Sequence, residues 1–337
     1  MRNNKLSNDV EIFCTRHGIS KPFQIEPILV GRNSQVLKIV NADKKWILKK
    51  YYQSKVTKHD RLGTDFNFLV FLHRAGVDCV PKPYGMDRAM HLALYSFLPG
   101  NRLYRITATH IKQASRFILA IDQQRLLSNA LDIPLAVDAC LSWQDHIALT
   151  DARISLLVSL KPESAIEENA LEFITKQLMP LWSSVRNRTL NEIPTSELAR
   201  PLLLSERIIS PSDFGFHNTI EHEGRLSFVD FEYAGWDDPA KLICDFLCQP
   251  ELPITKQQGW QFTDELLCKL PYAETVKKRV DKLLPAHRIK WSCILLNEFR
   301  LEDRRRRLHA GVKSHGLLAS QLSKSISYFN LHLSSIT

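Results

Sequence analysis

The segment SPSDFGFHNTIEHEGRLSFVDFEYAGWDD, residues Ser210 to Asp238, holds the side chains best suited to chemistry. Asp213 and Asn218 stand five apart in a glycine-containing loop, and Asp230 follows twelve residues after Asn218, at the end of the apolar run LSFV. A carboxylate and an amide on one turn, with a second carboxylate on a neighbouring hairpin, form a set that phosphoryl transfer asks for. One carboxylate orients or accepts the proton of the nucleophile, while an amide oxygen and another carboxylate hold Mg²⁺ against the phosphates. Taken singly, an aspartate beside glycine and asparagine reads as a turn former or a helix cap. Three such residues in this order, with a strand lysine upstream, are harder to assign to turns alone.

The elements that must position these residues read as a small β-rich part followed by a large helical one. Asn8-Asp9-Val10-Glu11 has the residue types of a capping box, predicting a helix from there to Gly18. QIEPILV, QVLKIV and KWILKKYY are β-branched and aromatic runs separated by the turn formers GRNS and NADK, so an antiparallel meander is expected. TDFNFLVFLHRAG predicts a helix stopped by Gly76, and PKPYGMD and MHLALYSFL two further strands. From about Pro99 the apolar spacing is helical, except for a brief return of strand texture around SERIIS and RLSFVDFEY. Alternation on the third strand puts Ile47 and Lys49 on one face and Trp46, Leu48 and Lys50 on the other. Lys50 is the substitute if the register slips by one.

The Asp213 to Asp230 segment resembles the aminoglycoside phosphotransferase and choline kinase superfamily of protein-kinase-like small-molecule kinases, whose motif HGDxxxxN precedes a strand ending in IDxE. FVDFEYAG is similar to the choline and ethanolamine kinase form, and DDPA to the GDPA of the aminoglycoside group. The resemblance implies an α+β, two-lobed fold with a nucleotide-binding lobe over residues 1–98. Residues 99–337 would form a catalytic and substrate lobe, with a helical insert over about 100–200 that matches no motif. It implies Asp213 as the catalytic base, and Asn218 and Asp230 as ligands of Mg²⁺. It also implies an ATP site of Lys49 held by Asp65, a phosphate turn at Gly31, Asn33 and Ser34, Ile47 beside the lysine, and Ser96, Phe97 and Leu98 against the adenine. The implied reaction moves the γ-phosphoryl group of ATP to a hydroxyl of a small metabolite. Departures from the pattern are specific. Pro211 and Ser212 replace the His and Gly of HGD, Asp65 replaces a Glu, and Leu242 stands where an Asp is expected, with Asp245 one helical turn on. They define the alternative, a catalytically weak or inactive kinase-like nucleotide-binding protein.

Composition closes off other classes. Only 12 of 337 residues are glycine, and none forms GxGxxG, GxxxxGK[ST] or GxSxG, which argues against a Rossmann turn, a P-loop and a hydrolase elbow. The net charge of +9 fits either plain solubility or an anionic partner. The run Arg304 to Arg307 reads first as a solvated helix face and second as a clamp for an acidic ligand. No aromatic-interleaved basic stripe supports nucleic acid as a partner. His217 is expected in the loop or beside the site, Trp236 as core or as a wall for an ammonium group, and Asp237 and Asp238 as caps of a helix near Pro239. Seven scattered cysteines without CxxC predict free thiols in a reducing compartment, and the absence of a long apolar run predicts a cytoplasmic chain with no membrane partner.

Overall fold

Lys44 to Lys50 pairs with Gln35 to Asn41 through a tight turn in which Ala42 takes a positive φ of 48°. Such a hairpin brings alternating side chains into register on both faces. In chain order the elements are α1 (Arg2–Arg16), β1 (Gln24–Ile28), β2 (Gln35–Asn41), β3 (Lys44–Lys50), α2 (Arg61–Arg74), β4 (Pro83–Asp87), β5 (Leu92–Ser96), α3 (Ala108–Gln123), α4 (Trp143–Val158), α5 (Ala165–Phe173) and α6 (Met179–Glu192). After them come α7 (Thr195–Leu198), β6 (Ile208–Ser210), β7 (Thr219–His222), β8 (Arg225–Phe228), β9 (Gly235–Asp237), α8 (Pro239–Cys248), α9 (Lys256–Leu267), α10 (Ala273–Leu295), α11 (Leu301–His309) and α12 (Leu317–His332). The structure, a computed structural model, describes residues 2–28, 33–54, 56 and 59–335.

The chain divides into two units. The first comprises Met1–Arg102, Thr219–Tyr233 and Arg305–Lys313. Its antiparallel sheet has the order β1-β2-β3-β5-β4. On one face Val10, Phe13 and Cys14 of α1 bury Leu37, Ile39, Leu48, Leu92 and Leu94. These aliphatic positions alternate along three strands, so removal of one face from water drives the pairing. Gly18 and Gly76 end α1 and α2 at φ values of 78° and 77°, a conformation in which glycine avoids a Cβ clash. The helix expected to begin at Asn8 begins instead at Arg2. The hairpin β7–β8 joins this unit through backbone bonds from Asn101 to Glu221 and from Phe228 to Cys79.

The second unit comprises Leu103–Asn218, Ala234–Arg304 and Ser314–Thr337. Its core draws Ile147, Phe173, Trp182, Val185, Ile289 and Leu322 from α4, α5, α6, α10 and α12. Between α5 and α6 the helix opens into one π turn, Ile174–Leu178. Pro180, two residues beyond Leu178, can offer no N–H to the preceding turn, which accounts for the widening. A second centre stacks Phe214 against Phe117 and Phe246, with ring centroids 5.9 and 5.5 Å apart. The whole is an α+β, protein-kinase-like two-lobed fold with a small β-rich and a large helical part. Among the described residues no helix is long and apolar enough to cross a membrane.

Candidate active site

Lys49 lies opposite Val36 on β2 and Ala93 on β5. Leu48 points into the α1 core, so strand alternation turns Lys49 to the opposite face. There its Nζ sits 2.8 Å from Asp65 Oδ2 and 2.8 Å from Asp230 Oδ1. The shorter Asp65 thus closes the gap directly. The other oxygen of Asp65 accepts the Phe231 N–H at 2.9 Å, and the Tyr51 hydroxyl donates to Oδ2. Burial disfavours the Lys49 ammonium, but the Asp230 and Asp65 carboxylates outweigh it and hold its pKa well above the usual lysine value. Burial, reinforced by Asp65, raises the Tyr51 phenol well above its ordinary value, so it remains a donor. Sequence reasoning missed Tyr51, although the rule that put Lys49 on this face, two residues earlier, was the available signal.

Asp230 adopts a φ of 72°, a left-handed conformation that costs a non-glycine residue roughly 1–2 kcal/mol and is kept only where surroundings impose it. Those surroundings start with the next residues. Glu232 is fully buried and accepts from Asn33 Nδ2 at 2.6 Å and from Arg61 Nη1 at 3.2 Å. Ser34 Oγ lies 3.5 Å from its second oxygen, and His59 Nε2 lies 2.5 Å from its carbonyl. Burial and Asp230 push the Glu232 carboxyl upward, against the pull of Arg61 and Lys49. Arg307 Nη1 donates to Asn33 Oδ1 at 2.7 Å, so both ends of the Asn33 amide are engaged. Gly31, the first residue of the expected phosphate turn, lies outside the described residues.

In the second unit, β6 delivers the loop Pro211–Gly215 to a tight turn over Phe216–Asn218. Phe214 and Phe216 anchor it in the aromatic cluster, and half-buried Asp213 stands between them and Ser212. Ser212 takes a φ of 68° where the family motif has glycine. Asn218 Nδ2 donates to the Asp213 carbonyl at 3.0 Å, a bond that fixes the amide and leaves its oxygen, a hard donor, on the side away from that carbonyl. His217 Nε2 is 3.4 Å from Asp213 Oδ1.

The remaining expected residues are placed as follows. Ile47 pairs with Lys38 and Tyr95 and is half-buried. Ser96 Oγ accepts the Lys82 N–H at 2.9 Å. The Phe97 ring has the Lys38 and Lys45 ammoniums each 5.8 Å from its centroid, and Leu98 is half-buried. Asp238 caps α8 through the Ala240 N–H, and Trp236 is core, its Nε1 donating to the Ala130 carbonyl. Asp245 belongs to a buried network. His287 Nδ1 lies 3.0 Å from its Oδ1, His146 Nδ1 3.0 Å from His287 Nε2, and His146 Nε2 3.0 Å from Asp238 Oδ2. Lys290 and Trp291 also donate to Asp245, and Arg279 to Asp238. This is structural wiring inside one unit. The solvated face expected at Arg304–Arg307 is found only in part: Arg305 is exposed, but Arg307 is buried against Asn33 and Arg304 pairs with Glu167 at 2.8 Å.

Asp230 in the first unit carries a carboxylate and Asn218 in the second an amide oxygen, each by itself a hard donor of the kind Mg²⁺ takes. Among the described residues no group of three or more His, Cys, Asp or Glu side chains is arranged to hold a metal by itself.

Three comparisons bear on the whole chain. No curated protein sequence matches it significantly. Its fold is shared with the choline kinase of Streptococcus pneumoniae, at 14% identity over 96% of this chain and 100% of that one, with a TM-score of 0.61. The ethanolamine kinase of Plasmodium vivax is similar over 91% of this chain and 82% of its own, at 14% identity and a TM-score of 0.59. A spectinomycin phosphotransferase, solved with ADP and spectinomycin, is similar over 91% and 92%, at 10% identity and 0.59. The sequence model of the phosphotransferase enzyme family matches residues 24–246, a span that holds Lys49, Asp65, Asp213, Asn218 and Asp230, and this chain belongs to that family.

Proposed function

We propose that the protein moves the γ-phosphoryl group of ATP to a hydroxyl of a small metabolite. The observation that carries this reading is the Lys49 ammonium held 2.8 Å from each of two carboxylates, one of them the left-handed Asp230. Backbone strain kept at a charged residue beside a pinned lysine is what a phosphate site needs and a turn does not. Lys49, positioned by Asp65, neutralises the α- and β-phosphates. Asp230 and Asn218 would hold Mg²⁺, which would supply positive charge to offset that of the phosphates. Asp213 takes the proton of the acceptor hydroxyl as its oxygen bonds to the γ-phosphorus and the bond to ADP breaks. Oriented charge supplies most of the rate. The acceptor class follows the relatives, whose names give choline, ethanolamine and spectinomycin as ligands or substrates. Seven unpaired cysteines support a reducing, cytoplasmic setting.

Calorimetry of ATP binding tests this before any acceptor is known. Wild type should bind ATP more tightly with Mg²⁺ than without, and Asp230→Asn should remove the difference. Asp213→Asn should keep the binding and abolish turnover once an acceptor is found. Equal binding with and without metal would instead favour an inactive, kinase-like nucleotide-binding protein.

A further inference from the structure

We infer that Arg307, on helix α11, is a positioning residue for the nucleotide site, acting through Asn33 and Glu232. This rests on the reading above. Arg307 matches no family motif; it comes from the arginine run that reads in sequence as a solvated face. The structure buries it, and 274 residues of sequence separate it from Asn33, whose Oδ1 accepts from Nη1 at 2.7 Å. Asn33 passes the constraint on, because its Nδ2 donates to Glu232 Oε1 at 2.6 Å. Glu232 is two residues beyond Asp230, and the Phe231 N–H between them is bonded to Asp65. One chain of hydrogen bonds therefore runs from Arg307 to the backbone that holds Asp230 and Asp65 around Lys49.

Two further contacts fix the same stretch of α11. His309 Nε2 lies 3.4 Å from the Lys50 carbonyl, and its ring meets Tyr52 edge-on at 5.3 Å. The stretch of α11 that carries Arg307 is thus seated against both the residues that lead into β2, through Arg307, and the end of the lysine strand, through His309. A guanidinium suits this place because it keeps its charge when buried and donates from a rigid plane. Without it the Asn33 amide loses the bond that orients it, and Glu232 loses a donor held in place.

The test is the dissociation constant of ATP with Mg²⁺, by calorimetry, alongside the thermal midpoint without nucleotide. Arg307→Gln should weaken ATP binding by about tenfold or more, in line with loss of a buried hydrogen bond from a charged donor. Arg307→Lys should recover part of that loss. Asn33→Ala should weaken binding similarly, and the double variant should be no worse than Asn33→Ala alone, as residues in one network demand. Arg304→Gln is the control: it breaks the Glu167 pair on the same helix, so it should lower the midpoint and leave the affinity alone. If Arg307→Gln does not fold, Arg307→Lys takes its place in the cycle. Wild-type affinity in the Arg307 variants, or losses that simply add to that of Asn33→Ala, would overturn the inference while leaving the kinase reading intact. A wild type that does not bind ATP would overturn both.

Discussion

Asp65 reaches Lys49 without help: 2.8 Å separates carboxylate from ammonium, although the family pattern has the longer glutamate at this place. The same carboxylate accepts the Phe231 N–H and the Tyr51 hydroxyl, so one buried side chain organises a strand, a helix and the segment after β8. Asp65→Asn keeps the size and removes the charge. Breaking this buried pair should cost about 2–4 kcal/mol, read as a lower midpoint in urea with an unchanged slope. An unmoved midpoint would mean that Lys49 is not paired there.

Ser212 pays for its left-handed backbone, at φ 68°, with a Cβ that glycine lacks. Ser212→Gly should stabilise the protein by about 0.5–1 kcal/mol, the strain relieved less the entropy glycine adds to the unfolded chain. Ser212→Val should destabilise it, since a β-branched residue tolerates this conformation least. Thermal melts of the three proteins decide the matter, and the reverse order would contradict the assigned conformation.

The pair His146 and His287 sets an acid limit. Burial, with Lys290 beside it, pushes the His287 imidazole down to about 3, and burial lowers His146 as well. A histidine whose folded pKa is depressed binds fewer protons folded than unfolded at pH below about 6.5, so its stability contribution is present above that value and lost as pH falls toward 3. Asp238 and Asp245 are held low despite burial, by Arg279 and His146 in one case and by Lys290, Lys241 and His287 in the other. Their contributions are present above about pH 4 and lost below it. Melting should therefore fall between pH 6.5 and 4 with a slope of up to about 1.4 kcal/mol per pH unit for each histidine, and steepen further down. His287→Gln, which cannot take up the proton, should flatten the first part of that curve.

Of the seven cysteines only Cys268 is exposed, and burial raises the Cys14 and Cys79 thiols to about 11 and the Cys248 and Cys293 thiols to about 12. Thiolate, not thiol, attacks disulfide reagents. A disulfide dye at pH 8 should label one thiol quickly in the native protein and seven after denaturation; fast labelling of two or more would mean a looser fold.

Much of this was readable in residue order. The period-2 alternation that put Lys49 opposite Leu48 survives in the sheet because burial of Leu37, Ile39 and Leu48 under α1 enforces the register. Gly18 and Gly76 ended their helices where expected, since the left-handed stop is a local property. α1 starts at Arg2 rather than Asn8, because the capping side chains of Asn8 to Glu11 express a preference of about 1 kcal/mol that a continuing helix overrides. Nothing local announces that Arg307 seeks Asn33, or that Glu232 is shared by Asn33 and Arg61. Those pairs exist only once distant segments have met, and a charge run reads the same whether water or an amide receives it.

The first unit is assembled from Met1–Arg102, Thr219–Tyr233 and Arg305–Lys313. No single cut can therefore release it. A fragment ending near residue 102 would keep Lys49 and Asp65 but lack Asp230, Glu232 and Arg307, leaving a lysine with half its counter-charge and a sheet without its hairpin. Anyone wishing to isolate this unit must splice these three stretches together, and during synthesis it is complete only once Lys313 has been made.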